Sequence, residues 1–368
     1  MSRVEEPTET NIRSLWPLVA RGERIVVVLG NGASISEMTA AQGSVCPPTD
    51  INFLSIAEKV QKSKYRTFVK KFTEIWENAA PYPLDGQRME QIFAVTYFLK
   101  QQNRGRTARA RRAAELYDSL VLLLRETLYS TTNLAEPIQH LELLRMLLSR
   151  SPASLDLVSF NYDVLADRAL LQLSRTNEVQ WSHKDGYGFR PDEAGVRKNA
   201  STCRLFKLHG SMNWYIPISG KTKTADFNPN ARIYIPTPAK GPKSAAWQNR
   251  QSCKGQDKEV KVFPLMVPPV FEKGLHIHGT LNAVWSQAIQ ALSQADLVVV
   301  WGYSMPTTDY HSEISFSQAA RSSKSRLVVV NPDRAALARI TDVCGHRWSR
   351  WFFYAEHLLG ALREEGVV

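Results

Sequence analysis

The feature that most restricts what this chain can fold into is a recurring one: a short aliphatic run that stops at a turn-forming residue. Residues 24–29 read Arg-Ile-Val-Val-Val-Leu and stop at Gly30-Asn31-Gly32. Residues 155–160, 297–302 and 326–331 repeat the pattern, stopping at Asn161, at Gly302 and at Asn331-Pro332. Runs of this kind suit strands buried on both faces, as in a parallel sheet covered by helices. Two weaker runs, 205–208 before His209-Gly210 and 351–354 near the C-terminus, bring the expected sheet to about six strands. Residues 262–267 read as a further strand at an edge or in a cleft. Helical spacing follows at 164–174, 275–294, 311–322 and 334–341. This alternation predicts an α/β fold with a Rossmann-like, doubly wound parallel sheet.

Residues 50–150 break the alternation. Apolar residues recur there at helical spacing in 51–60, 65–76, 89–99, 113–128 and 141–148, with no strand-like run between them. A helical subdomain inserted after the first βα turn accounts for this. The expected organisation is an N-terminal segment (1–22), a main domain built from 23–49 and 151–368, a helical insertion (50–150), and a basic loop within the main domain (218–262).

Composition excludes several classes. A chain with 43% hydrophobic residues has enough material for a core, which rules out global disorder. No apolar run approaches the roughly 20 residues of a membrane-spanning helix. The first eleven residues are polar and acidic, unlike a secretory signal. The four cysteines, Cys46, Cys203, Cys253 and Cys344, are dispersed and form no CxxC pair, so neither a zinc ribbon nor a disulfide framework is expected. His276 and His278 stand two apart with no third ligand nearby. The expectation is a cytoplasmic protein with free thiols and no metal.

The net charge of +11 is unevenly placed. Residues 100–112 and 221–261 carry +6 each, leaving the remainder at −1. The basic excess therefore sits in the insertion and the loop. A solvated surface explains each run; a contact for nucleic acid or an acidic partner is the functional alternative.

Five motifs lie at predicted strand ends, where open α/β sheets bind their ligands. The first is Gly30-Asn31-Gly32-Ala33-Ser34, a tight turn whose glycines allow close approach to a pyrophosphate. Ile35 occupies the third glycine position of the dinucleotide fingerprint, and no second strand ending in an acid follows, which disfavours a dehydrogenase. The second is Asn161-Tyr162-Asp163, in which either polar residue can instead cap the next helix. The third is Lys207-Leu208-His209-Gly210-Ser211. The fourth is Gly302-Tyr303-Ser304-Met305-Pro306, with Asp309 nearby. The fifth is Val330-Asn331-Pro332-Asp333, where Asn331 or Asp333 can reach a ribose hydroxyl.

In this order the five motifs resemble the sirtuin-like superfamily, and more narrowly the bacterial sirtuin-like NADases of antiphage defence, over residues about 20 to 355. The resemblance implies that NAD+ is the substrate. Gly30, Asn31, Gly32, Ala33 and Ser34 would hold its pyrophosphate and nearby ribose, with Gly302, Tyr303 and Ser304 closing the other side. Asn331 would face the adenosine ribose. Asn161, Asp163 and His209 would surround the nicotinamide ribose: Asn161 orienting water, His209 taking its proton and Asp163 binding the carboxamide. The implied activity is NAD+ glycohydrolysis in defence by NAD+ depletion, or abortive infection. The alternatives are an NAD-dependent protein deacylase or ADP-ribosyl transferase, and a non-catalytic NAD- or nucleic-acid-binding subunit of a defence complex. Sirtuin deacylases carry two CxxC pairs that this chain lacks. The resemblance also implies a homo-oligomer and a partner such as a HerA-type ATPase or a short Argonaute.

Overall fold

The computed structural model describes residues 18–40, 45–60, 62–79, 83–103, 107–133, 135–189, 202–217, 232–236, 252–254, 259–267, 279–307, 309–322, 325–344 and 349–366. Six parallel strands form the main sheet: β1 (Arg24–Leu29), β2 (Ser154–Ser159), β3 (Cys203–Lys207), β7 (Leu297–Trp301), β8 (Arg326–Val330) and β9 (Ser349–Phe352). Their order is β3-β2-β1-β7-β8-β9, so the chain winds outward from β1 in both directions. The expected doubly wound α/β sheet is what the chain forms. Its central strands are buried along almost their whole length, as unalternating Val and Leu runs require.

Helices α1 (Asn31–Ala40), α6 (Ile138–Ser149), α7 (Leu165–Arg175) and α11 (Ala355–Glu364) make one packed group around α6. Helices α8 (Gly279–Gln294), α9 (Tyr310–Ser322) and α10 (Arg334–Cys344) pack successively on one another. Right-handed crossovers running in opposite directions from β1 place two such groups on opposite faces. The remaining helices, α2 (Phe53–Val60), α3 (Lys62–Ala79), α4 (Met89–Gln102) and α5 (Ala108–Thr132), contribute to a second apolar cluster around Phe72, Trp76, Phe93 and Leu120. That cluster also takes in Val164, Met212 and Met266, which joins the helical layer to the main body. Helix α6 instead buries Leu143, Leu144 and Leu147 in the main core.

A small antiparallel sheet, ordered β4-β6-β5, is formed by β4 (Gly210–Pro217), β5 (Ser252–Lys254) and β6 (Glu259–Met266). Sequence patterning does not predict β4, because its inward polar residues hide the pattern. Ser211 and Asn213 are buried there and donate to the Tyr162 carbonyl oxygen and the Tyr187 hydroxyl. Strands β5 and β6 also occupy part of the 218–262 stretch expected to be loop; residues 218–231, 237–251 and 255–258 lie outside the described residues. So do His276 and His278. No helix among the described residues is long and apolar enough to cross a membrane.

A buried carboxylate–imidazole contact ties α1 to α6. Glu37 accepts from the backbone N–H groups of Gln139 and His140 and from His140 Nδ1 at 2.6 Å. Burial opposes its charge, but the His140 contact and the two amides outweigh it and hold the carboxyl below its ordinary 4.5. A lowered folded value contributes stability above the unfolded value and loses it as pH falls through the folded one. Glu37→Gln should therefore cost about 1–3 kcal/mol near neutrality. The gap from wild type should close as the pH is lowered, read from thermal unfolding midpoints. A gap constant with pH would contradict this linkage.

Candidate functional site

The order reversal at β1 opens a crevice at the C-terminal ends of β1, β2 and β7, where open α/β sheets place their sites. Each strand end is tied to its neighbour by the residue that follows. Phe160 N–H donates to the Leu29 carbonyl, Leu208 to Ser159, Gly30 to Trp301, Gly302 to Val330 and Asn331 to Phe352. These bonds bring all five sequence motifs to one rim.

The turns after β1 and β7 cross in close contact. Gly32 N–H donates to the Gly302 carbonyl at 2.9 Å. A Cβ on Gly302 would lie 2.1 Å from Ala33 N, and one on Gly30 would lie 2.4 Å from Tyr303 Cα. Gly302 also has φ +67°, in the region that favours glycine. The glycines thus serve the crossing of two backbones, and the Gly30 and Gly32 amides are committed to it.

Asn161 is buried at the turn after β2. Its Nδ2 donates to the Gly30 carbonyl at 2.8 Å and to Ser34 Oγ at 3.0 Å, which leaves Oδ1 as its acceptor for a ligand or water. Ser34 Oγ in turn donates to Asp163 Oδ2 at 2.6 Å, while Asp163 Oδ1 accepts from Leu165 N–H at the start of α7. The capping role open to this triplet from sequence falls to Asp163. Beneath it, buried Lys207 donates to the Asp163 carbonyl oxygen and to Asp167 Oδ2, and Tyr187 donates to Asp167. Sequence reasoning assigns Lys207 no role, although it stands inside the third motif; a lysine within the apolar run 205–208 demands a buried partner, and that is the signal it carries.

His209 sits between β3 and β4. Gly210 takes φ +75° to make that corner, and a Cβ there would lie 2.2 Å from the Leu265 carbonyl oxygen. Val267 N–H donates to the His209 carbonyl, fixing the corner. The imidazole packs against Phe160, Tyr162 and Trp285, with ring centroids 5.4, 6.1 and 6.2 Å away. Trp285 donates to the Leu208 carbonyl, and Tyr162 to that of Val267. Burial, with the Asp309 carboxylate adding to it, pushes the Tyr303 phenol well above its ordinary value, so it stays protonated.

At the other end, Asn331 is occupied. Its Nδ2 donates to the Tyr303 carbonyl at 3.1 Å and its Oδ1 accepts from Asp333 N–H at 2.9 Å. Arg339 clamps the fourth motif by donating to the Ser304 and Met305 carbonyls. Asp333 Oδ1 caps α10 through Ala335 N–H.

These elements line one cavity of about 1390 Å³, larger than the usual pocket for a small ligand. Its lining includes Asn331, Asp333 and Tyr354, the turn residues Asn31 and Gly302, and Asn161 and His209. Its remaining wall comes from the helical layer, through Met89, Glu90, Leu124 and Leu128, and from residues 48–51. Asn31 Nδ2 donates to the Pro48 carbonyl, holding that segment in place. Among the described residues there is no group of three His, Cys, Asp or Glu side chains placed to hold a metal ion.

The sequence matches no family model and no curated protein. Among solved structures, one to which the chain is similar is a crystal structure of Sir2 in complex with an inhibitor, 2′-O-acetyl-ADP-ribose and a deacetylated peptide. The identity is 13%, the TM-score 0.38, and 93% of each chain is covered. Overlap this loose does not assign a family.

Proposed function

We propose that the chain is an NAD+ glycohydrolase, cleaving NAD+ to nicotinamide and ADP-ribose. The observation that carries this reading is the large cavity at the β1 switch point, whose lining brings the head of α1 together with His209 and Asn161. A cavity of that volume can take a dinucleotide, and the pyrophosphate would lie over the N-terminus of α1, where aligned amides favour an anion. Because the Gly32 and Ala33 amides of the first turn of α1 are bonded to the Gly302 and Gly30 carbonyls, the phosphate contact falls to the other amides of that turn and to the helix dipole. Asn331 holds the turn, and Asp333, whose Oδ1 caps α10 and whose Oδ2 lies 3.7 Å from Arg339, stands on the same rim to meet the adenosine ribose.

Beside Asn161 and His209 the C1′–N1 bond breaks, and its electron pair leaves with nicotinamide, which departs neutral. Asn161 Oδ1 holds the ribose or the attacking water. The water oxygen bonds C1′ and its proton passes to His209, a base suited to neutral pH. Asp163 anchors the Asn161 turn and keeps lone pairs for the carboxamide. A role in antiphage defence by NAD+ depletion, and assembly as a homo-oligomer or with a partner such as a HerA-type ATPase or short Argonaute, belong to the same reading.

Incubation of the purified chain with NAD+ alone tests it. Nicotinamide should appear without a protein acceptor and with equal yield after dialysis against a strong chelator. Release only on adding an acylated peptide would favour the deacylase alternative, and activity lost to the chelator and restored by zinc would overturn the metal-free chemistry.

A further inference from the structure

We propose that Asp309 is a positioning residue for His209, its carboxylate orienting the imidazole and stabilising the charge that the ring gains when it takes the proton of water. This inference rests on the hydrolytic reading above. His209 Nε2 lies 3.7 Å from Asp309 Oδ2, with side-chain exposures of 11% and 6%. In so dry a setting a carboxylate acts on a neighbouring cation more strongly than it would in water.

Asp309 is held on two sides. Tyr303 Oη donates to its Oδ2 at 3.2 Å. The backbone N–H groups of Ser312 and Glu313 donate to its carbonyl oxygen at 3.1 and 3.2 Å, which places it at the head of α9, where the helix favours negative charge. Tyr303 is itself fixed, because its ring stacks on Phe160 at 4.0 Å with planes 7° apart and lies 6.2 Å from Phe316. Phe160 also meets the His209 ring edge-on. Three strand ends therefore converge: β2 supplies the stacked ring, β7 the phenol that grips Asp309, and β3 the histidine. The arrangement matches the logic of a carboxylate that orients a catalytic imidazole without exchanging protons itself.

The other titratable groups around this pair are Tyr162 and Tyr303 on the sheet side, and Glu90 of α4 and Tyr117 of α5 on the helical side. The three tyrosines are held neutral by burial. Asp309 and Glu90 are the negative groups of this set, and Asp309 is the one in contact with the imidazole.

The test follows the ring itself. The carbon-13 signal of His209, assigned with His209→Gln, is titrated in the wild-type chain and in Asp309→Asn. Removing the charge destabilises the imidazolium, so the midpoint should move to lower pH. Asp309→Ser, which keeps a good helix-capping side chain, should give the same shift if the Asn variant does not fold. In NAD+ cleavage the same variants should lose at least about tenfold in kcat with little change in KM, and the acid limb of the rate profile should follow the NMR midpoint. A midpoint that stays put or rises overturns the proposal. Inactivity of the wild type together with a falling midpoint would refute the hydrolytic reading and leave the His209–Asp309 coupling standing.

Discussion

Replacing His209 by alanine should lower kcat for NAD+ cleavage by about 10²- to 10⁴-fold, the range a general base contributes. The chain should remain folded, since the imidazole lies in the cavity wall and its backbone is fixed by Val267 and Gly210 rather than by the ring. Asn161→Ala should reduce turnover comparably but is a different experiment. It removes the donor to the Gly30 carbonyl and to Ser34 Oγ, leaving buried acceptors unsatisfied at a cost of about 1–3 kcal/mol. Both residues stand at strand ends, but only Asn161 ties neighbouring segments together through its side chain, so the stability cost is expected there and not at His209. Circular dichroism and thermal midpoints, measured beside the kinetics, separate lost chemistry from lost structure. A folded His209→Ala chain with wild-type turnover would remove His209 from the mechanism.

The second large effect is expected at Gly302. Alanine there would place its methyl 2.1 Å from Ala33 N and in an unfavourable φ, so the two turns must part. The expected loss is about 3 kcal/mol or more of stability, together with loss of ligand binding, because the same crossing forms the cavity floor. Gly86, also at positive φ but with open space for 4 Å around the place a methyl would take, is the control: alanine there should cost about 1 kcal/mol and leave the cavity unaffected. Equal losses at both positions would mean that φ alone matters and that the turn crossing does not.

The sheet is legible in the sequence because its strands are buried on both faces, and burial of that kind leaves Val-Val-Val runs that no other element needs. The motifs are legible for the same reason, since each follows such a run. What stays hidden depends on contacts between distant segments. The run Gly-Ser-Met-Asn-Trp-Tyr-Ile-Pro carries no strand signal until Ser211 finds the Tyr162 carbonyl and Asn213 finds Tyr187. Helix α6 has the same periodicity as α4 and α5, and periodicity says which face is apolar but not which core it meets. Nor can spacing reveal that Gly32 N–H is spent on Gly302, or that Asn331 is spent on Tyr303 and Asp333. Asp309 is visible three residues beyond Pro306, but its pairing with His209 joins residues 100 positions apart in the chain.

In the proposed reaction, water is the acceptor for the ribose carbon of NAD+ at this cavity. The most direct measurement is cleavage of NAD+ by the purified chain in ¹⁸O-enriched water, with mass analysis of both products. The expected result is nicotinamide and ADP-ribose in equal amounts, one ¹⁸O incorporated into ADP-ribose, and at least about a hundredfold less of both from His209→Ala in the same time. Nicotinamide formed without ¹⁸O-labelled ADP-ribose, or formed only when an acylated peptide is supplied, would contradict it.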